Sequence, residues 1–101
     1  MCFVYLVFQM LGACLAAGLF RLIRAEDFGG VALTLNTKLI AEAVGTFMLT
    51  LTVGFNVLTA SAAGAYSIGA CLMCMIYALG NVSGAHFNPA VTLAVLQEPS
   101  F

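Results

Sequence analysis

Two long stretches of this chain, Met1 to Phe20 and Ala43 to Gln97, contain no Asp, Glu, Lys or Arg. All the formal charge sits outside them, at Arg21, Arg24, Glu26, Asp27, Lys38, Glu42 and Glu98. A helix needs about 20 mostly apolar residues to cross roughly 30 Å of bilayer hydrocarbon. The first stretch therefore holds one crossing, and the second has room for most of one, all of another and a shorter element. Composition points the same way. The chain is 63% hydrophobic and 7% charged, whereas soluble domains are roughly 25% charged, which argues against a water-soluble fold.

The net charge of −1 offers no basic surface, so nucleic acid is not an expected partner, and no Lys/Arg cluster marks a polybasic lipid site. The apolar N-terminal segment lacks the positive flank and small-x-small cleavage site of a signal peptide, so it reads as a retained span. Cys2, Cys14, Cys71 and Cys74 all lie in apolar segments. Cys71 and Cys74 form a CxxC without companion ligands, so the cysteines read as small packing residues and no metal or other cofactor is expected. An enzyme is the weakest reading, since there is no nucleophile-base pair, phosphate loop or metal cluster and hence no catalytic residue to name.

Along the chain, residues 1–24 read as a transmembrane helix with small faces at Gly12, Ala13, Ala16, Ala17 and Gly18, and with Arg21 and Arg24 at its aqueous end. Residues 25–37, with Gly29, Gly30 and Asn36, make a loop. A second span is expected from about Lys38 to Thr59, with Ala41 and Gly45 as a small-xxx-small pair. It carries Glu42. A carboxylate one turn inside a span either faces donors in the protein interior or sits at headgroup level, and position alone leaves both open. After a Ser/Gly/Ala turn at Ala60 to Ala65, Tyr66 to Gly80 forms a third apolar segment that Asn81 and Val82 lengthen to span size.

From Asn81 the pattern changes. Ser83 to Phe87 places polar and small residues before a short apolar run, Pro89 to Leu96, headed by Asn88 at N-cap and Pro89 at N1. In a soluble protein this would be an ordinary capped helix after a turn. In a chain this apolar, a helix of that length suggests a re-entrant half-helix, with Ser83 to Phe87 as extended backbone entering the membrane. Backbone of that kind is tolerated only where it is buried in protein or lines a watery cavity. The carbonyls of Gly84, Ala85, His86 and Phe87 would then form an acceptor ladder, and the Asn88 amide a donor at a helix terminus carrying roughly +0.5 charge. A positive dipole end in the lane repels protons and cations, so the expected permeant is neutral. His86 reads as a packed, hydrogen-bonded histidine.

The run Ser83-Gly84-Ala85-His86-Phe87-Asn88-Pro89-Ala90-Val91-Thr92 resembles the NPA box of the aquaporin (major intrinsic protein) family. Ala41-Glu42-x-x-Gly45-Thr46 is similar to the opening of that family's first helix. The resemblance implies an all-α membrane protein, a partial aquaporin-like right-handed bundle with about three transmembrane helices and one re-entrant NPA half-helix. It implies Asn88, Pro89 and Ala90 at the pore, and Glu42 as a carboxylate that braces the half-helix loop through backbone N–H groups. Residues 38–97 would be a partial aquaporin half, with a tail at 98–101. A complete protein would be a homotetramer passing water or small neutral solutes.

Tyr5 to Ala13 resembles the last helix of either half of the family's repeat, and Gln9 makes it more like the third than the sixth. In the family such a segment follows the box, whereas here it precedes it. Two layouts fit: a middle slice, or a junction in a tandem protein. Arg21, Arg24 and Lys38 against Glu26 and Asp27 favour a cytoplasmic loop, which in the family implies the tandem junction. Second boxes usually continue with the selectivity-filter Arg; here the next residue is Val91. The filter residue from the preceding helix would be Ile68 for a first box or Ile76 for a second, and either aliphatic side chain implies a constriction wide enough for glycerol-like solutes. The expectation is a fragment of a channel whose missing half, or a longer paralogue, is its partner. The alternative is a non-conducting subunit that assembles with a full-length channel.

Overall fold

The structure is a computed structural model that describes residues 2–29 and 33–97; the side chains of Cys2 and Phe28 fall outside that description. The expected tail at 98–101 and the middle of the expected loop also lie outside it. The described residues form four α-helices: α1 (Cys2–Ile23), α2 (Leu35–Leu58), α3 (Gly64–Ser83) and α4 (Pro89–Gln97), with a short 3-10 turn at Ala25–Phe28 after α1. Three of them, over Phe3–Ile23, Leu35–Leu58 and Gly64–Ser83, are long and apolar enough to cross a membrane.

The helix limits follow from local chemistry. The loop after α1 is shorter than expected, because α2 begins at Leu35 rather than near Lys38 and takes in Asn36. Thr34 is the reason: its Oγ1 accepts the Thr37 N–H at 3.2 Å, satisfying a donor that the first turn leaves open. The preceding turn is tied by Arg24, whose Nε donates to Asp27 at 2.7 Å. At the other end of α2, Ser61 N–H reaches Asn56 C=O at 3.0 Å and Ala60 N–H reaches Val57 C=O at 3.2 Å. This pair of bonds is a Schellman stop. It holds Ala60 at φ 48°, a conformation that suits glycine. Helix α3 starts two residues earlier than expected, at Gly64, and ends where Gly84 turns left-handed at φ 95°.

Helices α2 and α3 pack as an antiparallel hairpin. Lipid tails are as apolar as leucine, so close packing and polar contacts, rather than water exclusion, hold such helices together. Thr52 Oγ1 lies 3.3 Å from Cys71 Sγ across the hairpin, and Asn56 Nδ2 donates to Thr52 C=O at 2.8 Å. Cys71 thus packs in the hairpin seam, while Cys14 and Cys74 are exposed. The threonine hydroxyls of Thr50, Thr52 and Thr59 donate to the carbonyls four residues back, at 2.7–2.8 Å. These three hydroxyls are thereby satisfied within their own helix or its cap.

A small core forms where α1, α2 and α3 meet the loop before α4. It comprises Ile23, Ala41, Leu79, Val82, Ala85 and Phe87. Ile23 is the one buried residue of α1 among those described. The molecule measures 56 × 41 × 16 Å, little more than the ~10–12 Å diameter of one helix in its thinnest direction. Such a layer leaves most of its apolar side chains uncovered.

Left-handed backbone is disfavoured for alanine by roughly 1–2 kcal/mol, against about 0.5–1 kcal/mol of extra chain entropy for glycine. Ala60→Gly should therefore stabilise the α2–α3 hairpin by up to about 1 kcal/mol, read as a higher denaturation midpoint in detergent micelles.

Candidate functional site

Between α3 and α4 the chain leaves helical geometry for four residues, Gly84 to Phe87, followed by Asn88. The expectation of extended backbone here is corrected. Gly84, Ala85 and Phe87 all have positive φ, at 95°, 52° and 51°. An extended strand would carry the chain away from α2, whereas these left-handed turns fold it tightly against the face presenting Ala41 and Gly45. Ser83 belongs to the last turn of α3.

Every backbone N–H from Gly84 to Phe87 has a partner. Gly84 donates to Gly80 C=O at 2.9 Å, closing α3. Ala85 donates to Ser83 Oγ at 3.2 Å. His86 and Phe87 donate to the two oxygens of Glu42, at 3.0 and 2.6 Å. The Ser83 hydroxyl adds a third bond to that carboxylate, at 2.6 Å. Glu42 therefore faces donors in the protein interior, which decides the alternative its position left open. Among the described residues, the carbonyls of Gly84, Ala85 and His86 accept no hydrogen bond. The Phe87 carbonyl differs, since Thr46 Oγ1 approaches it at 3.4 Å.

Helix α4 opens as its first residues dictate. Asn88 Oδ1 accepts the Ala90 N–H at 2.9 Å, and Asn88 C=O accepts the Thr92 N–H at 3.1 Å. Pro89 occupies N1, where no N–H is needed. With Oδ1 committed to the cap, the side-chain NH₂ of Asn88 has no protein partner among the described residues. Asn88, Pro89 and Ala90 are all exposed. His86 is half-buried, with Nδ1 at 3.1 Å from Thr92 Oγ1, a contact inside the loop and α4.

Phe87 is 5% exposed, and its ring lies directly on Gly45. A methyl group at position 45 would overlap the ring. The small residues of α2 thus serve the loop before α4 as well as helix packing. An open groove of about 900 Å³ runs beside them, lined by Thr46, Phe47, Asn88, Pro89 and Leu93 among others. Of the two candidate filter residues, Ile68 is half-buried on α3 and Ile76 is exposed, and neither lines this groove. The sequence reading named Gly45 and Thr46 only as part of a motif, and their contacts with Phe87 escaped it.

The profile of the Major intrinsic protein family matches residues 31–101. The chain belongs to that family. It is 45% identical over 65 residues to Aquaporin NIP1-1 of Zea mays, covering 56% of this chain and 23% of the relative. Against Putative aquaporin NIP4-1 of Arabidopsis thaliana it is 43% identical over 67 residues, 58% of this chain and 24% of the relative. Aquaporin Z of Photorhabdus laumondii is 40% identical over 67 residues, 57% of this chain and 29% of the relative. The chain thus spans about a quarter of the length of the curated relatives it matches. No solved structure matches it significantly. As a major intrinsic protein family member with three spanning helices, the chain is an integral, multi-pass membrane protein. Helix α1 lies outside the family match.

Removing the Glu42 carboxylate would leave two amides and a hydroxyl without their acceptor, at about 1–3 kcal/mol for each buried donor so stranded. Glu42→Ala should release the loop. Hydrogen exchange at the His86 and Phe87 amides would accelerate while that in the middle of α3 stays slow; unchanged exchange at both amides would contradict the bracing geometry.

Proposed function

We propose that this chain forms part of a passive transmembrane channel for water and small neutral solutes, with residues 83–92 as one half of its lane. The observation that carries the reading is the division of hydrogen-bonding labour in that segment. All four N–H groups from Gly84 to Phe87 are engaged within the protein, while three successive carbonyls and the Asn88 amide are not. A small solute that both donates and accepts hydrogen bonds matches such a surface. The carbonyls replace its lost hydration, and the Asn88 amide fixes its orientation at the head of α4.

The N-terminus of α4 carries roughly +0.5 elementary charge. That sign disfavours protons and cations at the head of α4. Glu42 in this reading braces the loop and stays out of the lane, because its oxygens are consumed by Ser83, His86 and Phe87. Aliphatic Ile68 or Ile76 at the filter position leaves a constriction that admits glycerol-like solutes as well as water. The remainder of the lane would come from a second channel half, as part of the same protein or as a longer paralogue, within a tetrameric assembly.

Proteoliposomes carrying the assembled channel test this directly. Water and glycerol should cross faster than in empty vesicles, and a proton gradient should persist. Loss of one donor worth about 1 kcal/mol predicts a roughly fivefold lower flux for Asn88→Leu. Osmotic water flux without any glycerol flux would overturn the solute range. An assembly containing this chain that conducts no better than empty vesicles would favour a non-conducting subunit instead.

A further inference from the structure

Phe87 sits at φ 51°, a left-handed conformation that a bulky side chain adopts only when its surroundings enforce it. Helix α2 supplies the enforcement from three residues at i, i+3 and i+4, which share one face. Glu42 Oε2 takes the Phe87 N–H at 2.6 Å. Gly45 receives the ring, which fits only because position 45 has no side chain. Thr46 Oγ1 turns toward the Phe87 carbonyl at 3.4 Å. Thr46 differs from Thr50, Thr52 and Thr59, which each return their hydroxyl to a carbonyl four residues back. Thr46 instead reaches across to another segment. Donor, ring and acceptor of one strained residue are thus all held by a single helical face.

We propose that Gly45 and Thr46 are positioning residues: with Glu42 they cradle Phe87, fix the direction in which the next residue, Asn88, presents its amide, and turn the Phe87 carbonyl toward α2. The row of carbonyls without a protein partner then ends at His86. A rigid residue between the last open carbonyl and the donor sets the spacing between them, and so the size of solute that can bridge both. That consequence for permeation rests on the channel reading above; the cradle itself does not.

The test uses the 101-residue chain in lipid nanodiscs with isotope labels at Phe87 and Gly45. In the unmodified chain the Gly45 α-protons should be shifted by the ring current of Phe87, and Phe87→Leu should abolish that shift. Thr46→Val should move the Phe87 carbonyl carbon upfield, and Thr46→Ser, which keeps the hydroxyl, should leave it near its original position. Unshifted Gly45 α-protons in the unmodified chain would overturn the proposal even if a variant fails to fold. Equal carbonyl shifts in Thr46→Val and Thr46→Ser would overturn the role of Thr46. Because neither signal depends on transport, loss of flux with both signals intact would count against the channel reading and leave the cradle standing.

Discussion

The Glu42 carboxylate is the acceptor on which the rest of the arrangement depends. Backbone that leaves a helix away from water must find partners for its N–H groups inside the protein. Here one side chain from α2 receives the Ser83 hydroxyl and the amides of His86 and Phe87. With the bonds of Gly84 and Ala85, the loop's N–H groups are all paired, while the carbonyls of Gly84, Ala85 and His86 have no protein partner among the described residues. Without the carboxylate, the His86 and Phe87 amides would lose the acceptor that holds the loop against α2. With it, α4 starts at a fixed point with Asn88 at its head.

Helix α2 does two jobs with one sequence. Its Ala41, Glu42, Gly45 and Thr46 meet the loop, while its later turns, through Thr52 and Asn56, meet the α3 side of the hairpin. Both jobs need polar atoms inside a span, and threonine permits this because its hydroxyl can return to its own helix when no other partner is near. The resulting sheet-like layer, 16 Å in its thinnest direction, leaves apolar side chains such as Phe47, Tyr66 and Tyr77 uncovered. Those faces meet lipid or other helices.

Much of this was legible in the sequence, and for physical reasons. Charge-free stretches mark spans because charge is expensive in hydrocarbon, and the three spanning helices fall within a few residues of where that rule puts them. Asn88 and Pro89 announce a helix start because capping is local chemistry. Other features were not legible. The Thr34 cap, read as part of a loop, moved the start of α2 three residues earlier. The positive φ values at Ala85 and Phe87 replaced an expected extended segment, since neither residue type signals that conformation. Gly45 looked like a helix-packing residue, and its contact with Phe87, 42 positions away in sequence, depends on how α3 returns the chain. Spacing within a segment cannot report a contact that two turns and a whole helix must first create.

The proposed channel requires the Asn88 amide to be a wet donor at membrane depth, held beside a dry cradle. Water-edited solid-state NMR of the chain in lipid bilayers tests it most directly, by timing magnetisation transfer from water to individual sites. Fast transfer to the Asn88 side-chain NH₂, with slow transfer to the Phe87 ring and to Gly45, is the predicted result. An Asn88 amide as slow as the middle of α1 would contradict the account.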